Sequence, residues 1–332
     1  MPGKHKLEDQ LAALDALRLQ APETALEPLR KALANRNNLI AAKAAKLISE
    51  FQLTQLTPDL LTAFDRFFED PVKSDPQCWA KNAISGALAQ FDHTDANIFL
   101  RGMKHIQLEP SFGGASDSAG TLRATCALAL VQCRSLREPE LLSHLLELAN
   151  DKEKFVRVEA LRAIEQVNST SAALLLRLRA ILSPQFNAKL QDDEPEALGA
   201  CFGGMLRIEG GSAIPWVARF LAEGDDAAAE AALAIAGTRS LQAFEVLRDR
   251  FPHTRDPWFI SVLLSAIALT RQEAAMEFLF DQVRADSLRS EPAIEAILRS
   301  APSQEVIDSL KELVAGYPRL ARAFAKNVTQ SR

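Results

Sequence analysis

Apolar residues recur at helical spacing along this chain, in segment after segment of 12 to 16 residues, and polar turns carrying Asp, Asn, Pro or Gly separate the segments. Recurrence at i, i+3, i+4 and i+7 marks amphipathic helices, and turn residues at the breaks mark their ends. The segments read in pairs, a first helix, a short acidic turn and a second helix. The clearest pair runs from Glu138 to Val167. Leu141, Leu142, Leu145, Leu146 and Leu148 form the apolar face of its first helix, Asn150-Asp151 makes the turn, and Val156, Val158, Ala160, Leu161, Ala163, Ile164 and Val167 belong to its second.

The turn repeats along the chain, at Asn37, Asp75, Asp117, Asp151, Asp192, Asp225, Asp256 and Asp286. First and last are 249 residues apart over seven steps, about 36 per step, with single gaps from 30 to 42. A fixed period of this size is the signature of a stacked helical array. Asp or Asn is expected there as a cap, its side-chain oxygen accepting an orphaned N–H at the start of the second helix. Asp75-Pro76 and Asp256-Pro257 add proline at the expected first helical position, where a missing N–H costs nothing. In four copies a cation follows the turn residue by six: Lys43, Lys81, Arg123 and Arg157.

On these residues the chain resembles the HEAT-repeat family, antiparallel helix pairs with an Asp at the turn and Arg or Lys at this spacing. The best copy holds Pro139, Asp151, Val156, Arg157, Ala160 and Leu161, and degenerate copies cover roughly residues 22 to 316. Later copies depart from the pattern, with Leu198, Ala231 and Val262 in place of the cation. The resemblance implies an all-α fold, one right-handed α-α superhelix (solenoid) of about eight HEAT-like helix pairs over residues 1–332, with second helices lining its concave face. It implies no particular activity, because such arrays serve many. Two stretches interrupt the rhythm, the Gly- and Ser-rich 107–120 and the acidic 183–196, both expected to be surface loops, and 318–332 is expected to cap the array with a short helix and a polar tail.

Composition agrees with helix throughout: 54 Ala and 48 Leu stand against 14 Gly and one Tyr, leaving few β-branched runs for sheets. A net charge of −5 speaks against wholesale coating of nucleic acid. It is unevenly spread. Residues 1–50 hold eight Lys or Arg against six Asp or Glu, and residues 185–230 hold three against nine. No apolar run is long enough to span a bilayer, and Met1-Pro2-Gly3-Lys4-His5-Lys6 has no apolar segment behind it, so no membrane contact and a cytoplasmic protein are expected. Cys78, Cys126, Cys133 and Cys201 form no C-x-x-C and read as buried free thiols, Cys126 and Cys133 on one helix face.

Candidate chemistry is sparse. The five His are scattered singly, no phosphate-binding loop or nucleophile elbow occurs, and Gly203-Gly204 and Gly210-Gly211 are read as helix terminators. Trp79, Trp216 and Trp258 are followed at i+4 by Ala83, Phe220 and Val262, so the Trp–Asp pair typical of helical-repeat alkylpurine glycosylases is missing. No His precedes Glu, which removes the iron site of HEAT-like deoxyhypusine hydroxylase. The expectation is a non-enzymatic scaffold, without cofactor or metal, that binds another protein or a peptide along the concave face. Its candidate contacts are the stripe Lys43, Lys81, Arg123 and Arg157, with Trp79 and Trp258 at similar places near helix starts. The competing role for the four cations is an internal ladder, each paired with a turn Asp of its own or the neighbouring repeat. The alternative functions are a nucleic-acid-binding or DNA-repair-type HEAT-like module, or a phycobilisome-lyase-type HEAT protein.

Overall fold

The computed structural model describes residues 2–182 and 194–330. The chain divides into two compact units, Met1–Val167 and Asn168–Arg332. The first holds α1 (Pro2–Ala16), α2 (Pro22–Leu33), α3 (Asn38–Glu50), α4 (Thr57–Arg66), the single turn α5 (Pro71–Ser74), α6 (Trp79–Gln90), α7 (Ala96–Met103), strands β1 (Leu108–Ser111) and β2 (Gly114–Asp117), α8 (Gly120–Leu130), α9 (Glu138–Leu148) and α10 (Lys154–Val167). Within it α3, α6, α8 and α10 pack side by side in that order, and α2, α4, α7 and α9 each lie against the helix they precede in this row.

The second unit holds α11 (Thr170–Leu182), α12 (Glu194–Glu209), the single turn α13 (Ile214–Val217), α14 (Asp226–Gly237), α15 (Leu241–Arg250), α16 (Pro257–Leu269), α17 (Glu273–Arg284), α18 (Ser290–Arg299), α19 (Gln304–Ala315) and α20 (Pro318–Gln330). Here α12, α14, α16, α18 and α20 form the row, backed by α11, α15, α17 and α19. Among the described residues the fold is therefore all-helical apart from one hairpin, with packing between successive helices.

Local chemistry explains the helix starts. Asn37 accepts from Leu39 N–H (2.9 Å), Asp225 from Ala228 N–H (2.9 Å) and Asp256 from Phe259 N–H (2.8 Å), with Pro257 opening α16. The rows are apolar on several sides, because their inner helices touch two row neighbours and a backing helix. In α10, Val156, Ala160, Leu161, Ala163 and Ile164 are all buried, and each of the larger ones contributes about 1.5–3 kcal/mol on leaving water.

Hydrogen bonds join successive helix pairs. Arg66 donates to the carbonyls of Leu33, Ala34 and Asn35 past the end of α2. Arg250 caps Leu221 and Ala222, Gln272 caps Arg239, and Arg319 reaches Ser287. These links join residues 28 to 33 apart and leave the carbonyls after one helix satisfied by the next copy.

Several expectations change. Residues 107–120 are no plain loop: 108–117 form an antiparallel hairpin in the register Leu108↔Asp117 to Ser111↔Gly114, turning at Phe112-Gly113 with Gly113 at φ 91°. Pro76 opens a 3₁₀ turn, Pro76–Cys78, rather than α6 itself. Asp286 caps no helix and instead pairs with Arg319 at 3.0 Å. Gly203 and Gly204 sit inside α12, and Gly210 (φ 64°) is the residue that follows its end. Cys133 lies beyond the end of α8, so it shares no helix with Cys126. The Asp192 turn and most of the 183–196 stretch lie outside the described residues. The expected cap is the helix α20.

Candidate binding groove

The four cations are spent inside the first unit. Lys81 is completely buried, its ammonium 3.1 Å from the Asp75 carboxylate and 3.1 Å from the Phe67 carbonyl. Asp75 also accepts from the N–H groups of Ala80 and Lys81, both at 2.9 Å, and from the Asn38 amide. Arg123 is 3% exposed and bridges two turns, gripping Asp151 through two nitrogens (2.8 and 3.0 Å) and Asp117 through a third contact (2.6 Å). Arg157 is buried and donates to the carbonyls of Asp151 and Lys152. Lys43, part-exposed, pairs with Asp15 at 2.5 Å. In place of the expected basic stripe, Lys43, Lys81 and Arg123 pair with acids and Arg157 binds turn carbonyls, and the three buried ones cannot reach a partner on the surface. The reason is burial at the turns: Asp75 with Lys81, and Asp117 with Arg123, are six residues apart and meet on one side of a helix start, where they are covered.

A buried carboxylate ties the hairpin to these contacts. Glu109 is 6% exposed and has no ion-pair partner among the described residues. It accepts from Gln77 N–H (2.7 Å), the Gln77 amide (3.0 Å), the Gln107 amide (2.7 Å) and the Ser118 hydroxyl (2.6 Å). Burial pushes its carboxyl up, but the hydrogen bonds from Ser118, Gln107 and Gln77 together outweigh that and hold it below its ordinary value. Gln107 also donates to the Asp75 carbonyl (2.9 Å). The arrangement stabilises an uncommon backbone: Gln77 (φ 61°) and Cys78 (φ 52°) are consecutive left-handed residues, each costing about 1–2 kcal/mol. Trp79 follows at once and begins α6.

Trp79 stands 51% exposed on the rim of an open groove of about 720 Å³. α3, α6 and α8 supply its walls, with Lys46, Asn82, Gly86, Gln90 and Thr125 among the lining residues. Asn82 spends its carbonyl oxygen on the Thr125 hydroxyl (3.2 Å), and Gln90 spends its own on the Ser49 hydroxyl. Both NH₂ groups are left without a hydrogen-bond partner among the described residues. Gly86 lies in the interior of α6, and a Cβ added there meets nothing within 4 Å. Glycine in a helix costs about 1 kcal/mol against alanine, so this one opens the groove floor without serving the packing.

Trp258 is 48% exposed at the start of α16, which belongs to the second unit, and is not among the residues lining this groove. Lys46, Asn82, Gly86 and Gln90 were missed by the turn pattern. The available signal was their spacing with Trp79, which puts Asn82, Gly86 and Gln90 on one stripe of α6. The thiols are all buried, and burial pushes Cys78 up to about 11 and Cys126 to about 12. Among the described residues no three His, Cys, Asp or Glu side chains gather to hold a metal ion, and no helix is long and apolar enough to cross a membrane.

No protein-family model matches the sequence, and no curated protein is similar to it. Among solved structures, one that aligns is the crystal structure of an engineered protein from the Northeast Structural Genomics Consortium, over 96% of this chain and 91% of that one, at 13% identity and a TM-score of 0.35. A likeness that loose carries no argument about function.

Proposed function

We propose that the protein is a non-enzymatic scaffold of HEAT-like helix pairs that binds another protein, or a peptide, on the row of second helices. The supporting observation is the groove over α3, α6 and α8, where a half-exposed Trp79 stands beside polar groups that the fold leaves unspent. Tryptophan contributes a disproportionate share of binding energy where it is presented at a surface pocket. The repeat period and the turn caps favour the HEAT-like reading, and a right-handed superhelix is the geometry such pairs adopt when stacked. The nucleic-acid alternative loses its motivation, since Lys81, Arg123 and Arg157 are buried and paired. The test is affinity capture from cells that make the protein, comparing wild type with Trp79→Ala and Trp258→Ala after matching their helicity. A protein held by wild type and Trp258→Ala but lost by Trp79→Ala supports the scaffold and its groove. Capture indifferent to Trp79 moves the site elsewhere, and empty eluates throughout refute the scaffold.

A further inference from the structure

The groove's own chemistry narrows what it accepts, given that it is a binding site at all. Asn82 and Gln90 line it from α6, and their carbonyl oxygens are already used by Thr125 and Ser49, which leaves their NH₂ groups to donate. These two amides therefore offer donors more readily than acceptors. A ligand rich in neutral carbonyl acceptors suits them well. A phosphate, which is best held by several cations, is poorly served, because Lys81, Arg123 and Arg157 are buried, Lys43 is paired with Asp15, and Arg18 is paired with Glu50 on the groove wall at 2.7 and 2.9 Å.

One full charge remains. Lys46 is exposed, lines the groove, and has no ion-pair partner among the described residues. Its position along the groove follows from α3 and α6 lying side by side with Ser49 bonded to Gln90. Lys46 is three residues before Ser49, so it stands about a turn short of the Gln90 level. Trp79 is eleven residues before Gln90. At about 1.5 Å per residue the backbone levels of Trp79 and Lys46 are separated along the helix by about 12 Å. Extended chain rises about 3.3 Å per residue, so some four residues cover that distance. Gly86, between them, leaves room for a main chain to lie close to α6.

We propose that the groove takes an extended peptide segment with a bulky apolar side chain against Trp79 and, about four residues away, an acidic side chain paired with Lys46. Its backbone carbonyls accept from Asn82 and Gln90. This rests on the scaffold reading, and it adds the partner's chemistry. The experiment is selection of random dodecapeptides displayed on phage, in parallel against the full chain and its Lys46→Glu variant, followed by fluorescence anisotropy with the enriched peptides. Lys46 is exposed, so the variant keeps the fold, checked by its circular dichroism.

Expected are wild-type peptides that pair an apolar residue with Asp or Glu three to five positions away. They should bind Lys46→Glu and Gly86→Leu at least tenfold more weakly, and selection on Lys46→Glu should replace the acid with Lys or Arg. Peptides that need Trp79 yet show no acidic preference, or bind Lys46→Glu equally, overturn this inference and leave the scaffold standing. Enrichment of no peptide by either protein, or binding of sugar ligands at Trp79 on a glycan array instead, overturns it as well. Empty eluates from wild type and both tryptophan variants in the capture experiment above are what bring down the scaffold reading itself.

Discussion

Removing the Glu109 carboxylate tests whether the hairpin holds the start of α6. A hydrogen bond to a charged group contributes about 1.5–3 kcal/mol, and Glu109 accepts four. Not all are lost in Glu109→Ala. Ser118 keeps a longer contact to the Gln107 carbonyl (3.4 Å), Gln107 keeps the Asp75 carbonyl (2.9 Å), and the exposed Gln77 amide turns to water. The Gln77 N–H alone loses its partner, at a left-handed residue with nothing else to hold it. The net loss is then about 2–3 kcal/mol, which is roughly a 30- to 160-fold fall in local protection. Amide hydrogen exchange at Gln77, Ala80 and Lys81 measures it, and a variant retaining only Trp79, through Trp216→Phe and Trp258→Phe, reports the same loosening by fluorescence anisotropy. Glu109→Gln keeps one acceptor but turns an NH₂ toward neighbouring donors, so its effect is intermediate. Because the folded carboxyl lies below its unfolded value, the contribution is fully present above the ordinary glutamate range and is lost as pH falls through the lower, folded value. Unchanged Gln77 exchange in Glu109→Ala would refute the clamp.

Other substitutions probe the ladder, the core and the groove floor. Lys81→Met leaves Asp75 as a buried charge without its cation and should destabilise the first unit by about 3–5 kcal/mol, read by urea denaturation followed through Trp79; a loss under about 1 kcal/mol contradicts the ion pair. Leu161, 1% exposed on α10, tolerates no charge: Leu161→Asp should abolish the cooperative melting of the unit, and an unaltered melting curve would remove Leu161 from the core. Gly86→Ala should raise stability by up to about 1 kcal/mol, since its Cβ meets no atom, while weakening any groove ligand. Stabilisation without loss of binding would mean that the open floor serves nothing.

The helices and their caps were legible because a cap is local chemistry. Asn37, Asp225 and Asp256 need only the residues two or three positions on, and those are fixed by the chain itself. The fate of the cations was not legible. Spacing places Lys81 six residues from Asp75 whether the pair is exposed or sealed, and only the covering structure, including the Phe67 carbonyl, decides between them. The hairpin was hidden for another reason. Its buried side chain is Glu109 while its neighbour Leu108 faces out, the reverse of the apolar-inward alternation by which a half-buried strand is recognised. Glycine misled at Gly203 and Gly204, because its weak helix propensity is overridden by the packing of α12 on α11 and α14.

The longest step between turn residues, the 42 from Asp75 to Asp117, is the one that contains the hairpin, and it falls at the groove. An array of similar helix pairs presents similar faces, and a distinct site needs something that breaks the likeness. Here the extra residues return to the preceding copy: Glu109 and Gln107 bond to Gln77 and to the Asp75 carbonyl, both ahead of α6. The same residues that lengthen one repeat thus hold the left-handed turn from which Trp79 emerges. Ser118, at the foot of the hairpin, both bonds Glu109 and lines the groove. A deletion that restores the shorter spacing would therefore remove the support of Trp79 together with part of the wall it faces. Loss of the hairpin and loss of the groove should occur together, and the irregularity in the period is the feature that makes this part of the row unlike the rest.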